Sequence, residues 1–276
     1  MPEITAATRL FALLGDPVAH SLSPRMQNVA IAAAHLDAVY VALRCATEDV
    51  PGLVRGLARA GGGGNVTVPH KGVAANAVDD PTPAVIRTGS CNTFWLEDGR
   101  ICGDNTDVAG FLSTVRRLVP PLKSARVLLL GAGGAARAVV AALLDEGAAE
   151  IAIRNRSRVR ADALIASFRT APDTLRLAPD DELLRRERFD LVVNATSLGL
   201  HPADESPLDL SKLPHVGAAL DLAYLPGETA WVRSARALGI PAADGLHMLV
   251  GQGAAAFERW FGQPAPIDAM RGAVAS

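Results

Sequence analysis

Four short polar stretches hold the residues whose types could do chemistry: His20-Ser21-Leu22-Ser23-Pro24, Asn65-Val66-Thr67-Val68-Pro69-His70-Lys71, Ser90-Cys91-Asn92-Thr93 and Gly103-Asp104-Asn105-Thr106-Asp107. Hydroxyls and amides dominate them, which suits a ligand rich in hydroxyl groups. Lys71 is a cation that can pair with a carboxylate or trade a proton, and Asp107 is the nearest candidate partner. Each stretch falls at a strand end or a turn, where α/β sheets present ligand groups. Each also has a plainer reading: Ser21 and Ser23 as helix caps, Asn92 and Asp104 as turn residues, Lys71 as a surface cation after a strand.

A fifth stretch, Arg126-Val-Leu-Leu-Leu-Gly131-Ala132-Gly133-Gly134-Ala135-Ala136-Arg137, reads as a buried strand feeding a glycine turn that opens a helix. Gly131 permits the tight turn, Gly133 lets backbone approach a pyrophosphate, and Ala136 keeps the helix close to the sheet. Free N–H groups at the helix start then face the anion. About 20 residues on, where an NAD site usually places an acid for the ribose hydroxyls, the second strand runs instead into Arg154-Asn155-Arg156-Ser157-Arg158-Val159-Arg160. Guanidinium groups grip a phosphate bidentately, so the pattern favours NADP, with its phosphorylated ribose, as cofactor. The plainer reading of these arginines is a solvated basic loop.

Composition narrows the remaining classes. The 276 residues are 49% hydrophobic and 20% charged, enough for two domains with substantial cores. A formal net charge of −2 gives no global pull toward nucleic acid or an anionic membrane surface, and neither is expected as a partner. Cys45, Cys91 and Cys102 are odd in number and lack CxxC spacing, and the six histidines form no HxxxH pair, so neither a disulfide framework nor a metal site is expected. The amino-terminal segment lacks a basic region followed by an apolar core, and no stretch offers the ~18 uninterrupted apolar residues of a membrane span. A cytoplasmic location is the default expectation.

The elements that must position these groups follow from periodicity. Strands are expected at 9–14, 38–44 and 65–68, with a helix over 24–35 and another, N-capped by Thr47, that places Val50, Leu53, Val54 and Leu57 on one face. Gly61 to Gly64 read as the turn that stops this second helix. Residues 91–96 and 100–102 flank Glu97-Asp98-Gly99, a hairpin signal. A helix follows over 106–118, ended by Pro120-Pro121, and the nucleotide-binding βαβ begins at Arg126, with strands at 150–154, 190–194 and 218–222. The Pro-rich stretch 200–214 is read as a loop, and 245–261 as a long helix returning to the first domain. The fold class is therefore α/β with two α/β domains: a mainly parallel-sheet domain over 1–105 completed by 245–276, the expected substrate-binding domain, and a Rossmann-like NADP-binding domain over 106–244.

Taken in order, the motifs GDPVAHSLSP (15–24), NVTVPHK (65–71), CNTF (91–94), GDNTD (103–107), GAGGAAR (131–137), NRS (155–157), NATSLG (194–199) and DGLHMLVGQGA (244–254) resemble the shikimate dehydrogenase family over nearly the whole length. The resemblance implies reversible reduction of 3-dehydroshikimate to shikimate with NADPH, on the route to aromatic amino acids through chorismate. It makes Lys71 and Asp107 the catalytic pair. It assigns Ser21, Ser23, Thr67, Asn92 and Gln252 to the hydroxyls and carboxylate of a polyhydroxylated cyclohexene carboxylate, with Tyr224 either closing over it or simply packing. Gly131, Ala132, Gly133, Gly134, Ala135 and Ala136 would take the pyrophosphate; Asn155, Arg156, Ser157 and Arg160 the adenosine phosphate; Thr196 and Gly245 the nicotinamide end. The reaction is expected between the two domains, in a monomer or homodimer. Four positions depart from the commonest pattern: Gln27 where His is frequent, Ser90-Cys91 before Asn92, His70 before the lysine, and Val108-Ala109 after Asp107; of these, Ser90-Cys91 and His70 are expected near the pocket wall, where they bear on substrate choice. Quinate or an aminoshikimate stays open as the substrate; a separate alternative is a catalytically silent regulator that binds NADP or a metabolite, against which the presence of both Lys71 and Asp107 argues.

Overall fold

The computed structural model describes residues 4–119, 121–168, 173–199, 204–225 and 227–275. It divides into two compact units, Met1–Gly110 with Leu249–Ser276, and Phe111–Met248. The first unit opens with β1 (Arg9–Gly15), α1 (Ser23–Ala33), β2 (Ala38–Arg44), α2 (Val50–Arg59), β3 (Gly63–Val66), α3 (Lys71–Ala75), β4 (Asp80–Pro81), α4 (Pro83–Thr88), β5 (Thr93–Glu97) and β6 (Arg100–Asp104). After α5 (Asp107–Leu118), the second unit contains β7 (Arg126–Leu130), α6 (Gly134–Asp145), β8 (Glu150–Arg154), α7 (Arg158–Ser167), β9 (Leu175–Leu177), α8 (Asp181–Leu184), β10 (Arg188–Asn194), β11 (His215–Asp221), α9 (Ala230–Ala237) and β12 (Ala242–Ala243). Helices α10 (Leu246–Phe261) and α11 (Ile267–Val274) close the chain.

The first sheet has strand order β2-β1-β3-β5-β6-β4. β1 runs parallel to both β2 and β3, β4 is parallel to β6, and the β5–β6 hairpin is antiparallel internally and to β3. Alternation along β1 serves two layers. Ala12 and Leu14 face a core with Val50, Val54, Val66, Phe94 and Ile101, so α2 covers that side through its apolar stripe. Phe11 faces the other way, its ring 5.0 Å from Trp260 and 4.9 Å from Phe261 on α10, with Tyr40 5.8 Å from Trp260.

The second sheet is parallel throughout, in the order β12-β11-β10-β7-β8-β9. This is the doubly wound arrangement, whose switch point lies between β7 and β10. Val127 to Leu130 are at most 2% exposed, the continuous apolar run expected of a strand covered on both faces.

Two local expectations need correction. The glycine run is not only a turn: Gly63 and Gly64 belong to β3, which ends at Val66. A Cβ on Gly64 would lie 2.1 Å from the Ala12 carbonyl oxygen and one on Gly63 2.6 Å from that of Phe94, so these strand positions admit no side chain. Thr47 does not cap α2; it opens a 3₁₀ turn over Thr47–Asp49, and its hydroxyl lies 3.3 Å from His70 Nδ1. Residues 200–203 of the expected Pro-rich loop lie outside the described residues, and Leu210–Lys212 form a 3₁₀ turn.

Candidate active site

Register brings the polar stretches of the first unit to one sheet edge. Leu14 pairs with Val66, Asn65 with Thr93 and Thr93 with Asp104, so the ends of β1, β3 and β6 and the start of β5 lie side by side. The chain leaving β3 turns through Val68-Pro69-His70 into α3, whose first residue is Lys71. The chain leaving β6 enters α5 at Asp107, an acid in the first turn, where the helix dipole favours it.

There the Lys71 Nζ donates to Asp107 Oδ2 at 2.5 Å, with the two side chains only 14% and 8% exposed. Asp107 Oδ1 accepts from Asn92 Nδ2 at 2.9 Å. Asn92 is itself fixed, because its Oδ1 accepts from Thr106 N at 2.8 Å and from the hydroxyls of Thr93 and Thr106 at 3.0 and 3.1 Å. Its amide nitrogen also reaches Gln252 Oε1 at 3.5 Å, and Gln252 Nε2 donates to the Leu249 carbonyl at 2.9 Å. Behind them Asn65 donates to the Asn92 carbonyl and the Thr93 hydroxyl, and accepts from the buried Tyr40 hydroxyl at 2.8 Å. A buried network with each member partnered is rigid, so the acid is held in one orientation toward the lysine.

Lys71, Asp107, Asn92 and Gln252 are thus joined by hydrogen bonds. Thr67 lies at the same edge, its N–H on the Leu14 carbonyl, and Gly15 leaves room for its methyl group: a Cβ there would fall 2.4 Å from Thr67 Cγ2. Ser21 and Ser23 lie beyond the end of β1; Ser21 Oγ accepts from the Ser23 N–H at 3.2 Å, Leu22 is the N-cap of α1 with no side-chain cap, and neither serine bonds to the Lys71 cluster. Tyr224 follows β11 in the second unit and is half-buried.

Three of the departures from the commonest pattern have structural roles. The His70 ring is buried, with Nε2 3.0 Å from the Cys45 carbonyl oxygen. Cys91 packs in the core beneath Gly103, its thiol pushed up to about 12 by burial. Ser90 is buried, its carbonyl accepting from the Thr88 hydroxyl. Gln27, fully buried, donates from Nε2 to the Gly253 carbonyl at 3.0 Å, next to Gln252.

The second unit has its own candidate site, at the carboxyl ends of the parallel strands. Gly131 has φ +109°, a conformation that favours glycine, and a Cβ there would lie 2.8 Å from the Ala195 carbonyl oxygen. Gly133 is the N-cap of α6 with no side-chain cap, and a Cβ on it would meet nothing within 4 Å. The start of α6, from Gly134 through Ala135, therefore presents backbone N–H groups to open space, while Ala136 is fully buried against the sheet. That is the cradle a pyrophosphate needs.

At the end of β8 the arginines divide. Arg154 is paired with Asp181 at 2.6 Å and Arg158 with Asp162 at 3.8 Å, whereas Arg156 and Arg160 are exposed and their guanidinium groups have no partner among the described residues. Ser157 caps α7 by accepting from the Arg160 N–H at 3.5 Å, and Asn155 donates to the Ser157 carbonyl at 2.8 Å. The turn therefore leaves the guanidinium groups of Arg156 and Arg160 exposed, with no partner among the described residues.

Beyond the switch point, Thr196 donates to Asn194 Oδ1 from both its N–H, at 3.0 Å, and its hydroxyl, at 2.6 Å. Gly245 donates to the Ala223 carbonyl, and a Cβ on it would strike the Leu222 carbonyl oxygen at 2.3 Å. Sequence reasoning missed the group that ties this region together, Asp221, which is fully buried and accepts from Asn194, Ala223 and Thr229. The available signal was an acid and an amide ending two apolar strands, Leu191-Val-Val-Asn194 and Ala218-Ala-Leu-Asp221.

A dinucleotide cradle with free guanidinium groups beside it, and a lysine held by a buried acid among hydroxyls and amides, define the class of nicotinamide-nucleotide-dependent dehydrogenases. More narrowly, the chain belongs to the shikimate dehydrogenase family. Residues 13–94 match the shikimate dehydrogenase substrate binding domain, residues 113–203 the shikimate / quinate 5-dehydrogenase model, and residues 245–275 the shikimate 5'-dehydrogenase C-terminal domain. The shikimate dehydrogenase (NADP(+)) of Methylocella silvestris is 42% identical over 259 residues, covering 93% of this chain and 91% of that one. The crystal structure of shikimate dehydrogenase from Aquifex aeolicus has a TM-score of 0.89 at 34% identity, covering 99% of this chain and 100% of that one. Shikimate 5-dehydrogenase from Thermus thermophilus, in complex with NADP(H) and shikimate, has a TM-score of 0.84 at 40% identity, covering 96% and 97%.

Proposed function

We propose that the protein is an NADP-dependent oxidoreductase that interconverts 3-dehydroshikimate and shikimate in the supply of chorismate for aromatic amino acids, with Lys71 and Asp107 as its catalytic pair. The observation that carries the assignment of the pair is the 2.5 Å contact between two nearly buried side chains at the sheet edge where hydroxyls and amides converge. Bound NADP(H) supplies or accepts the hydride. The chain's own residues do the rest.

Reduction of the ketone builds negative charge on its oxygen, and the Lys71 ammonium steadies that charge and delivers a proton from Nζ. In the reverse direction Nζ takes the hydroxyl proton. Asp107 keeps the lysine aimed and offsets the penalty of burying its charge, while Asn92 keeps Asp107 from turning away. Ser21, Ser23, Thr67, Asn92, Gln252 and Tyr224 are the proposed partners of the ring hydroxyls and carboxylate. Gly131 to Ala136 bind the pyrophosphate, Arg156 and Arg160 with Asn155 and Ser157 the extra phosphate, and Thr196 and Gly245 the nicotinamide end.

Reducing conditions suit the three free cysteines, so the proposed setting is the cytoplasm, as a monomer or homodimer. No helix among the described residues is long and apolar enough to cross a membrane. The decisive experiment is shikimate-dependent reduction of NADP+ by purified protein, followed at the nicotinamide absorbance, with quinate and an aminoshikimate in parallel. Turnover with shikimate as the best substrate is expected; tight cofactor binding with no turnover on any of the three would overturn the enzymatic reading.

A further inference from the structure

Resting on the cofactor reading above, we infer that Asp221 sets the preference between the two oxidation states of the cofactor, as a buried negative charge that favours NADP+ over NADPH. The carboxylate is fully buried at the end of β11. Its Oδ1 accepts from Asn194 Nδ2 at 2.8 Å and from the Ala223 N–H at 3.0 Å, and its Oδ2 from the Thr229 hydroxyl at 2.7 Å. All three donors are neutral, and no lysine, arginine or histidine pairs with it among the described residues. Burial raises its pKa, while the hydrogen bonds from Thr229, Ala223 and Asn194 favour the ionised form. A buried charge without a cation is destabilising, and a neutral side chain such as asparagine offers hydrogen bonds without that penalty. The charge itself is therefore the feature that calls for a function.

Position supplies it. With the phosphate-bearing half of the cofactor at the end of β8, the other half of a dinucleotide crosses the switch point to the ends of β10, β11 and β12. Thr196, Tyr224 and Gly245 stand there. Asp221 lies directly behind them: Asn194, which it holds, accepts both donors of Thr196, and Gly245 donates to Ala223, whose own N–H is on Asp221. A second carboxylate, Asp244, follows β12 and accepts from the Leu246 N–H at 3.1 Å; its field reaches Asp221, and the charges acting on it are those of the exposed His247, Glu228 and Arg236. Oxidised nicotinamide is a cation and the reduced ring is neutral, while the remainder of the cofactor is the same. A charge fixed in a poorly solvated interior acts on the first form and not on the second.

The test is the ratio of dissociation constants for NADP+ and NADPH, the reduced form by its own fluorescence and the oxidised form by competition. Asp221→Asn should raise the ratio, NADP+ over NADPH, at least about threefold, and Asp244→Asn should move it the same way. Thr229→Val disturbs the same hydrogen bonds while keeping the charge, so both affinities can fall but the ratio should hold. If Asp221→Asn does not fold, Asp244→Asn alone decides. Charge-removing variants that fold and keep the wild-type ratio, or a Thr229→Val ratio that shifts as much as theirs, would reduce Asp221 to a structural tie. A wild-type protein that binds neither form would instead bring down the cofactor reading itself.

Discussion

Replacing Lys71 by methionine removes the ammonium while keeping an unbranched stem. Positioned proton transfer contributes about 10²–10⁴-fold, which corresponds to about 2.7–5.4 kcal/mol of activation free energy. The upper part of that range is expected for kcat here, because Nζ sits 2.5 Å from an acid in a place water barely reaches, and the same charge also steadies the developing oxyanion. Asp107 then loses its cation but not all support, since Asn92 still donates to Oδ1. The stability loss should therefore be about 1–3 kcal/mol, short of the ~3–5 kcal/mol of a fully buried broken pair. Combining Lys71→Met with Asp107→Asn leaves no unpaired charge, so the double variant should regain stability and remain inactive, a coupling that additive effects cannot produce. Turnover is read at the nicotinamide absorbance, stability by urea denaturation and NADP+ affinity by calorimetry; the affinity should hold within about twofold. A Lys71→Met enzyme with kcat within about threefold of wild type would refute the proton-transfer role, and a double variant no more stable than Lys71→Met would refute the electrostatic argument.

Arg156→Asp should weaken NADP+ by about 10- to 100-fold and NAD+ far less, because the lost partner is the extra phosphate; an unchanged preference would leave the arginine as solvated charge. The two glycines of the turn should separate stability from binding. Gly131→Ala forces a side chain into φ +109° against the Ala195 carbonyl and should lower the thermal midpoint by several degrees, whereas Gly133→Val meets open space and should fold normally yet bind cofactor poorly. Equal melting of wild type and Gly131→Ala, or wild-type affinity in Gly133→Val, would contradict this reading. Cys91 has its folded-state thiol raised from 9.0 to about 12, so the stability it contributes is present below pH 9 and is lost as the pH rises toward 12. The stability gap between wild type and Cys91→Ala, measured by denaturation, should therefore shrink across that alkaline window and stay flat below it.

The long elements were legible because their patterns are strong. The apolar run before Gly131 and the stripe of α2 each admit one reading, and register then follows from covering both faces of the second sheet. Short edge elements such as β4, β9 and β12 carry two or three residues each, too few for any period to show, and only their neighbours make them strands. Gly63 and Gly64 misled because glycine marks a turn locally, whereas here it marks close approach between strands. At the site, Lys71 and Asp107 were readable as types, but their contact depends on β5 lying between β3 and β6. Asp221 was readable only as an acid ending an apolar strand, because its meaning lies in Asn194 and Thr229, which only the packed sheet brings to it.

The pairing of Phe11 with Trp260 and Phe261 has a bearing on how the chain is made. A ribosome delivers β1 early and its aromatic cover about 250 residues later, at about 5–20 residues per second, with an entire independent sheet emerging in between. During that interval Phe11 lacks its aromatic cover, so nascent chains stalled before α10 should attract chaperones, and those stalled after it should not.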